Sequence, residues 1–430
     1  MTVRLHTLSN GVRLICDPLA ERRTFALNVA VAGGARMESE AQSGWSHFLE
    51  HLVFKGAGDM GARDIVERIE ATGGTINAAT GYERTAFDVR GVDGALELSM
   101  QVLSDLVFRP TLDPVELERE KDVVAQEIAE AFDTPDDHVF EMAQATAFFD
   151  QALGRPILGS VESLKPVTRE MISAWRAALY SPERMVVSVS GGVDEDDFLK
   201  MAETWFGSEV AGPAPVVEDA AFIGGEARMA RKIEQANLVF QLPSPAATSN
   251  RIPTARLFTE ILGGGMASRL FQSAREERGL AYAIDAYMEP YNDIGLIGIY
   301  AGAAAERSEE LAKVCAEEVV TLATDGPTEA ELQRAKAVMK AGLWMADESA
   351  ANRSGRHATQ ALVWGRPVPS DELADSLEAV TADDMRDFGR DLLAPGVSAT
   401  AVLGPKAAIK AGKAFASTVE AASAGFRSQP

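Results

Sequence analysis

Short stretches near 2–7, 11–17, 24–32, 75–80, 84–90 and 184–190 hold alternating or continuous apolar residues, and each predicts a β-strand. Elsewhere the period lengthens. Stretches near 45–54, 61–73, 93–108, 114–132, 137–149 and 168–179 carry apolar residues at helical spacing. Within 45–54, Trp45, Phe48, Leu49, Leu52 and Val53 form one apolar stripe, and His47, Glu50, His51 and Phe54 form a second on roughly the opposite side. Ser43 is placed to cap that helix, and Gly56 follows its end. The helix at 114–132 opens on Asp113-Pro114-Val115-Glu116, with Asp as cap, Pro in the first turn and Glu completing a capping-box-like start.

The pattern repeats. Val167-Thr168, an Ala-rich helix, Leu179-Tyr180-Ser181-Pro182 and the run from Met185 to Gly191 return as Val380-Thr381, a helix, Leu392-Leu393-Ala394-Pro395 and the run from Val397 to Gly404. Ser163-Leu164 matches Ser376-Leu377 at the same offset, and Leu117, Arg119 and Lys121 match Leu332, Arg334 and Lys336 at nearly the same one. One such match could arise from ordinary helix–strand recurrence; a collinear series points to two copies of one unit. The expected organisation is a first half over 1–210, an Ala/Pro/Gly-rich linker over 211–228 and a second half over 229–430. Strands and helices without regular βαβ alternation predict an α+β fold, each half a mainly antiparallel sheet with helices packed on one face. The copies differ where chemistry is possible. Leu257 and Ile261 stand opposite His47 and His51, and Gly342 stands opposite Glu127.

His47 and His51 are four apart and so share a helix face. Two imidazoles so placed can hold one zinc ion, with Glu50 close enough to work on a water at the metal. The plainer reading is a packed helix with two incidental histidines. Against it, the chain has only five His in 430 residues, and two fall here with a Glu between them. Catalytic zinc takes a third protein ligand, His, Cys or carboxylate. Glu120 and Glu127, seven apart, border the stripe of Leu117, Val124, Ile128 and Ala131. A Glu at such a border is more often a surface residue than a ligand, so spacing alone leaves the third ligand open.

His47-Phe48-Leu49-Glu50-His51, followed far downstream by Glu127 in Val124-Ala125-Gln126-Glu127-Ile128, resembles the pitrilysin/insulysin family of inverzincin peptidases. With Leu8-Ser9-Asn10-Gly11 and Gly74-Thr75-Ile76-Asn77-Ala78, the chain is similar to the short branch that includes the mitochondrial processing peptidase beta subunit and its bacterial homologues, over almost its whole length. The resemblance implies a zinc endopeptidase, one zinc per chain, with ligands His47, His51 and Glu127 and catalytic base Glu50. It implies Glu120 as an outer carboxylate that orients the site, and Arg275 and Tyr282, in the second half, as donors to the substrate carbonyl. It assigns Phe54 to the pocket just after the cut, Asn77 and Ala78 to a strand that pairs with substrate, and Asp137 and Glu141 to an arginine near the cleavage site. The implied substrates are unfolded oligopeptides or presequence-like segments. Both the zinc motif and the Arg/Tyr pair lie on this chain, so the resemblance implies a self-sufficient protein, either a monomer acting across its own halves or a homodimer, and the two-chain assembly of the short branch favours the homodimer.

Some of these residues also have a structural reading. Phe54 suits core packing, and Asp137 with Glu141 suits the solvated acidic start of a helix. Gly263-Gly264-Gly265 before the helical run from Ala267 to Glu277 suits a tight turn, and no Gly-Lys-[Ser/Thr] follows to make a phosphate loop. The competing function class is a noncatalytic structural or assembly subunit of a larger complex. Relatives of that kind commonly lose zinc ligands, which this chain retains.

A formal net charge of −23 excludes nucleic acid or anionic membrane as partners held by bulk charge, and favours basic peptides. The two cysteines lie among apolar neighbours without a C-x-x-C partner, so no disulfide framework is expected. No signal peptide, transit peptide or apolar stretch of membrane-spanning length is seen, and a cytoplasmic protein is expected.

Overall fold

The computed structural model describes residues 3–427. The first residue of the predicted strand 2–7 and the last three of the predicted second half lie outside the described residues. The chain begins with strands β1 (Arg4–Thr7), β2 (Arg13–Pro18) and β3 (Thr24–Val31), then helix α1 (Trp45–Val53). A small ribbon, β4 (Gly56–Ala57) and β5 (Met60–Gly61), leads to α2 (Ala62–Glu70) and the hairpin β6 (Thr75–Thr80) and β7 (Thr85–Val92). Helices α3 (Leu96–Phe108), α4 (Pro114–Asp133), α5 (Pro135–Ala147), α6 (Val161–Leu164) and α7 (Arg169–Leu179) precede β8 (Met185–Gly191) and α8 (Glu195–Phe206). After a stretch without helix or strand come β9 (Gly225–Ala230), β10 (Gln235–Ser244), α9 (Ile252–Gly263), β11 (Ala281–Pro290) and β12 (Gly295–Ala304). The series closes with α10 (Ser308–Asp325), α11 (Glu329–Asp347), α12 (Ala350–Trp364), α13 (Ser370–Glu378), α14 (Ala382–Leu393), β13 (Ala399–Gly404) and α15 (Ala411–Arg427). β9 begins inside the stretch expected to be linker because it pairs in parallel with β13.

Packing divides the chain into two compact units. The first comprises 1–129, 156–218 and 344–370, and the second 130–155, 219–343 and 371–430. Each unit thus draws one segment from the other sequence half: α12 belongs to the first unit and α5 to the second.

The first unit holds a six-stranded sheet in the order β1-β2-β8-β3-β7-β6, antiparallel throughout except for parallel β2 and β8. The second holds a five-stranded sheet in the order β9-β13-β10-β12-β11, antiparallel except for parallel β9 and β13. Strand for strand, the second sheet repeats β2-β8-β3-β7-β6, with β1 the only addition. The fold is α+β in two homologous halves, as the repeat predicts.

Side chains on a strand alternate between faces. In the first unit Leu14, Cys16, Leu27, Val29, Val187 and Val189 join the core built by α1, α3, α7 and α8, including Phe48, Leu103, Ile172 and Phe198. Their neighbours Ile15, Ala30 and Val186 meet Ala358 and Ala361 of α12 on the opposite face. Most helices therefore lie on one face, and one further helix covers the other. Burial on both faces explains why β3 and β8 read as continuous apolar runs. The second unit repeats the arrangement. Leu238, Phe240 and Val402 join the main helical core, while Val239, Ala401 and Leu403 meet Val139 and Ala143 of α5.

The two covering helices are held differently. On α12, Arg353 donates to both oxygens of Asp17 at 2.6 and 2.7 Å, and His357 Nε2 lies 3.3 Å from the same carboxylate. Burial alone would raise Asp17, but the hydrogen bonds from His357 and Arg353 outweigh it and hold the carboxyl well below the usual range. On α5, Phe140 stacks on Tyr300 with ring centroids 5.4 Å apart and tilts against Tyr287. Both cysteines are free and buried. No helix among the described residues is long and apolar enough to cross a membrane.

Candidate metal centre

Helix α1 is seated by its apolar stripe: Phe48, Leu49, Leu52 and Val53 are all buried. Its cap is not Ser43. Gly44 is the N-cap, with φ 89°, and a Cβ there would lie 2.6 Å from the Leu158 carbonyl oxygen. The buried Glu38 carboxylate accepts from the Gly44 N–H at 2.7 Å and the Ser46 N–H at 2.6 Å, meeting the free donors and positive dipole end of the helix. Ser43 misses this role because a left-handed glycine follows it and turns the chain before the first helical residue. Of the opposite stripe, Glu50, His51 and Phe54 line a cleft.

Helix α4 starts as the sequence predicts, with Asp113 Oδ1 accepting from the Val115 N–H at 2.8 Å. Leu117 and Val124 are buried against the core. Glu120 and Glu127 are brought to α1. Glu127 Oε2 lies 3.4 Å from His51 Nε2 and 3.8 Å from His47 Nε2. The ligand atoms of His47, His51 and Glu127 all lie within 4.8 Å of one another. Zinc bonds of about 2.1 Å in a tetrahedron separate ligand atoms by about 3.4 Å. Two imidazole nitrogens and one carboxylate oxygen at this spacing therefore fit a zinc ion. Burial, and then the neighbouring His51, push the His47 imidazole down to about 4, which keeps it in the neutral, metal-binding form at neutral pH.

Around these three stand further polar contacts. Glu120 is 3% exposed; its Oε2 lies 3.1 Å from His51 Nδ1 and its Oε1 lies 2.8 Å from Lys55 Nζ. With an acceptor-only carboxylate at Nδ1, that nitrogen carries the proton and Nε2 keeps its lone pair. Glu50 Oε2 accepts from Thr80 Oγ1, at the end of β6. Burial raises the Glu50 carboxyl; the Thr80 hydrogen bond and His51 oppose the rise, and Glu127 adds to it. A raised carboxyl is suited to take up and return a proton.

The cleft has a volume of about 480 Å³. Glu50, His51, Phe54 and Lys55 line one side, and Thr75, Ile76, Asn77 and Ala78 line the other. Phe54 lines the cleft and also packs partly against the core. Among the described residues β6 pairs only with β7, which leaves its second edge open, and its residues alternate between exposed and half-buried.

The remaining predicted residues belong to the second unit. On α5, Asp137 is exposed, and Glu141 lies 3.2 Å from His138 Nδ1. Arg275 lies in Phe271–Glu277, which winds as a π-helix, and Ala267 and Ser268 belong to the preceding turn and bend, where a helical run from Ala267 was expected. Gly279, at φ 57°, closes the segment, and its N–H reaches back to the Arg275 carbonyl at 3.1 Å. The Arg275 guanidinium sits 4.7 Å from the Phe271 ring centroid, and Tyr282 is 66% exposed on β11.

Glu38, Lys55 and Thr80 were not singled out from the sequence. Lys55 had one available signal, its place directly after the histidine helix. Thr80 and Glu38 had none, since their partners are set by the fold.

Residues 17–161 match the family model described as Insulinase (Peptidase family M16), and residues 166–339 the one described as Peptidase M16 inactive domain. A Bacillus subtilis protein named uncharacterized zinc protease YmxG is 34% identical over 391 residues, which is 91% of this chain and 95% of that protein. A Streptomyces coelicolor protein named uncharacterized zinc protease SCO5738 is 32% identical over 413 residues, 94% of this chain and 90% of that one. Among solved structures, a protease from Helicobacter pylori superposes with a TM-score of 0.87 at 21% identity, covering 94% of this chain and 100% of its own. A structure titled peptidase M16 inactive domain from Pseudomonas fluorescens gives the same TM-score, 0.87, at 20% identity, covering 94% and 98%. With relatives matched along nearly its whole length, this chain belongs to peptidase family M16, the insulinase family.

Proposed function

We propose that this protein is a zinc-dependent endopeptidase acting on unfolded oligopeptides or presequence-like segments, with one zinc per chain. The observation that carries the reading is the convergence of His47, His51 and Glu127, with His51 and Glu50 lining a cleft bounded by an open strand edge. His47, His51 and Glu127 would hold the ion. When bound, zinc supplies Lewis acidity to the scissile carbonyl and lowers the pKa of a coordinated water. Glu50, steadied by Thr80, takes the proton of the attacking water and returns it to the leaving amine. Glu120 fixes the orientation of His51. Asn77 and Ala78 on β6 offer backbone to an extended substrate, and strand addition of this kind favours unfolded chains. Phe54 lines the pocket after the cut. Arg275 and Tyr282 both carry donors suited to the developing oxyanion.

In this reading 1–210 is the catalytic half and 229–430 the half that supplies Arg275 and Tyr282, the protein acts as a homodimer, and Asp137 with Glu141 selects substrates with Arg near the cut. A quenched-fluorescence peptide with a single Arg, its products sequenced, tests specificity. Asp137→Lys with Glu141→Lys should abolish the preference for Arg. Unchanged cleavage positions would remove these two residues from specificity. A noncatalytic assembly role is disfavoured because every zinc-binding residue is retained.

A further inference from the structure

We propose that Lys55 is a positioning residue for the metal centre, acting through Glu120 on His51; the inference rests on the zinc reading of His47, His51 and Glu127. The buried Glu120 carboxylate has one partner on each oxygen. Oε2 meets His51 Nδ1 at 3.1 Å, and Oε1 meets Lys55 Nζ at 2.8 Å. The terminal torsion of a glutamate lies in a broad, roughly two-fold well. One contact fixes one oxygen; contacts on both oxygens fix the carboxylate plane. Lys55 thereby sets the plane in which Glu120 accepts the His51 N–H, and so the direction in which Nε2 faces Glu127.

Three observations favour this role. Lys55 is tied to the end of the histidine helix, its backbone N–H bonding the Leu52 carbonyl at 3.1 Å, while Glu120 stands on the helix that carries Glu127. The ammonium thus links the two elements that bear the ligands. Second, His47 has no comparable hold: its Nδ1 is buried without a hydrogen-bond partner among the described residues. Orientation of the pair then depends on the Glu120 side. Third, the second half lacks the pair together with the ligands. Aligned on Phe48 and Phe258, Gly265 stands opposite Lys55, and Ala335 stands opposite Glu120 where Gly342 stands opposite Glu127.

Lys55 also lines the cleft, so a direct contact with substrate is the competing role. Zinc retention measured without peptide separates the two. Zinc-loaded full-length protein is challenged with a chromophoric chelator, for wild type, Lys55→Met, Lys55→Arg, Glu120→Gln and the Lys55→Met/Glu120→Gln double variant. Losing an outer partner costs about 10–100-fold in metal affinity, so Lys55→Met should release zinc at least about tenfold more readily. Lys55→Arg should restore most of the retention. In the Glu120→Gln background the Lys55→Met change should add less than about twofold. Thermal unfolding of the metal-free variants should match wild type; Lys55→Gln serves if Lys55→Met folds poorly. Wild-type retention in Lys55→Met, or an equal loss in both backgrounds, would overturn the inference and leave the zinc reading standing. A folded wild type that takes up no zinc would instead overturn the zinc reading, and this inference with it.

Discussion

Helices α1 and α9 follow the equivalent strands β3 and β10 in two sheets of the same strand order, and both are seated by a fully buried Phe, Phe48 and Phe258. What stands around those phenylalanines differs. His47 and His51 stand beside Glu127 in the first unit, His51 lining a cleft, whereas Leu257 and Ile261 are buried in the core of the second. The equivalent helices α4 and α11 differ in the same way, Glu120 and Glu127 giving way to Ala335 and Gly342. One frame accepts either a polar cluster or apolar packing, so the chemistry resides in a few side chains and not in the fold. Glu260 marks the point further. It occupies the position of Glu50, and its carboxyl is raised by burial and lowered by Arg334, but no histidine stands beside it in the helix.

The largest expected effect comes from giving the first helix the residues of the second. His47→Leu with His51→Ile should abolish zinc uptake and peptide hydrolysis, measured by elemental analysis and fluorogenic cleavage, while the protein stays folded. Collapse of the fold would show that the two frames are not interchangeable.

The covering helices allow a second test, on stability. Asp17→Asn breaks a buried ionic cluster on α12 and should cost about 3 kcal/mol at pH 7. Because the folded carboxyl is depressed, its contribution is full above the unfolded value of about 3.9 and fades as the pH falls below it. Phe140→Ala on α5 removes aromatic packing only, and should cost about 2 kcal/mol at either pH. Denaturant unfolding at pH 7 and well below the unfolded value, at about pH 2.5, distinguishes them; a pH-independent deficit for Asp17→Asn would show that the cluster does not work through charge.

Smaller effects separate Glu50 from Glu260. Thr80→Val removes the donor to Glu50 and should lower kcat about tenfold with zinc retained. Glu260→Gln should change hydrolysis by less than about twofold. Equal losses in both variants would mean that the second position is not chemically idle.

Much of this was legible in the sequence. β3 and β8 announced themselves because burial on both faces leaves no polar alternation to read. The histidine helix was legible because its two stripes, one apolar and one polar, separate cleanly. Glu127 was legible only by resemblance, since its partners lie on another helix. Three things were hidden because they are long-range. The Gly44 cap is served by Glu38 across a stretch of short turns, whereas residue type alone points to Ser43. Lys55 and Thr80 take partners that only packing supplies. The exchange of α5 and α12 was hidden too, since an apolar stripe shows that a helix covers a sheet without showing which sheet.

The most direct measurement is zinc content and fluorogenic peptide cleavage, made together on wild type and Glu50→Gln. Zinc near one per chain in both, with cleavage in wild type and a loss of at least about a hundredfold in Glu50→Gln, is the expected result. Undiminished cleavage by Glu50→Gln, or a folded wild type that takes up no zinc, would contradict it.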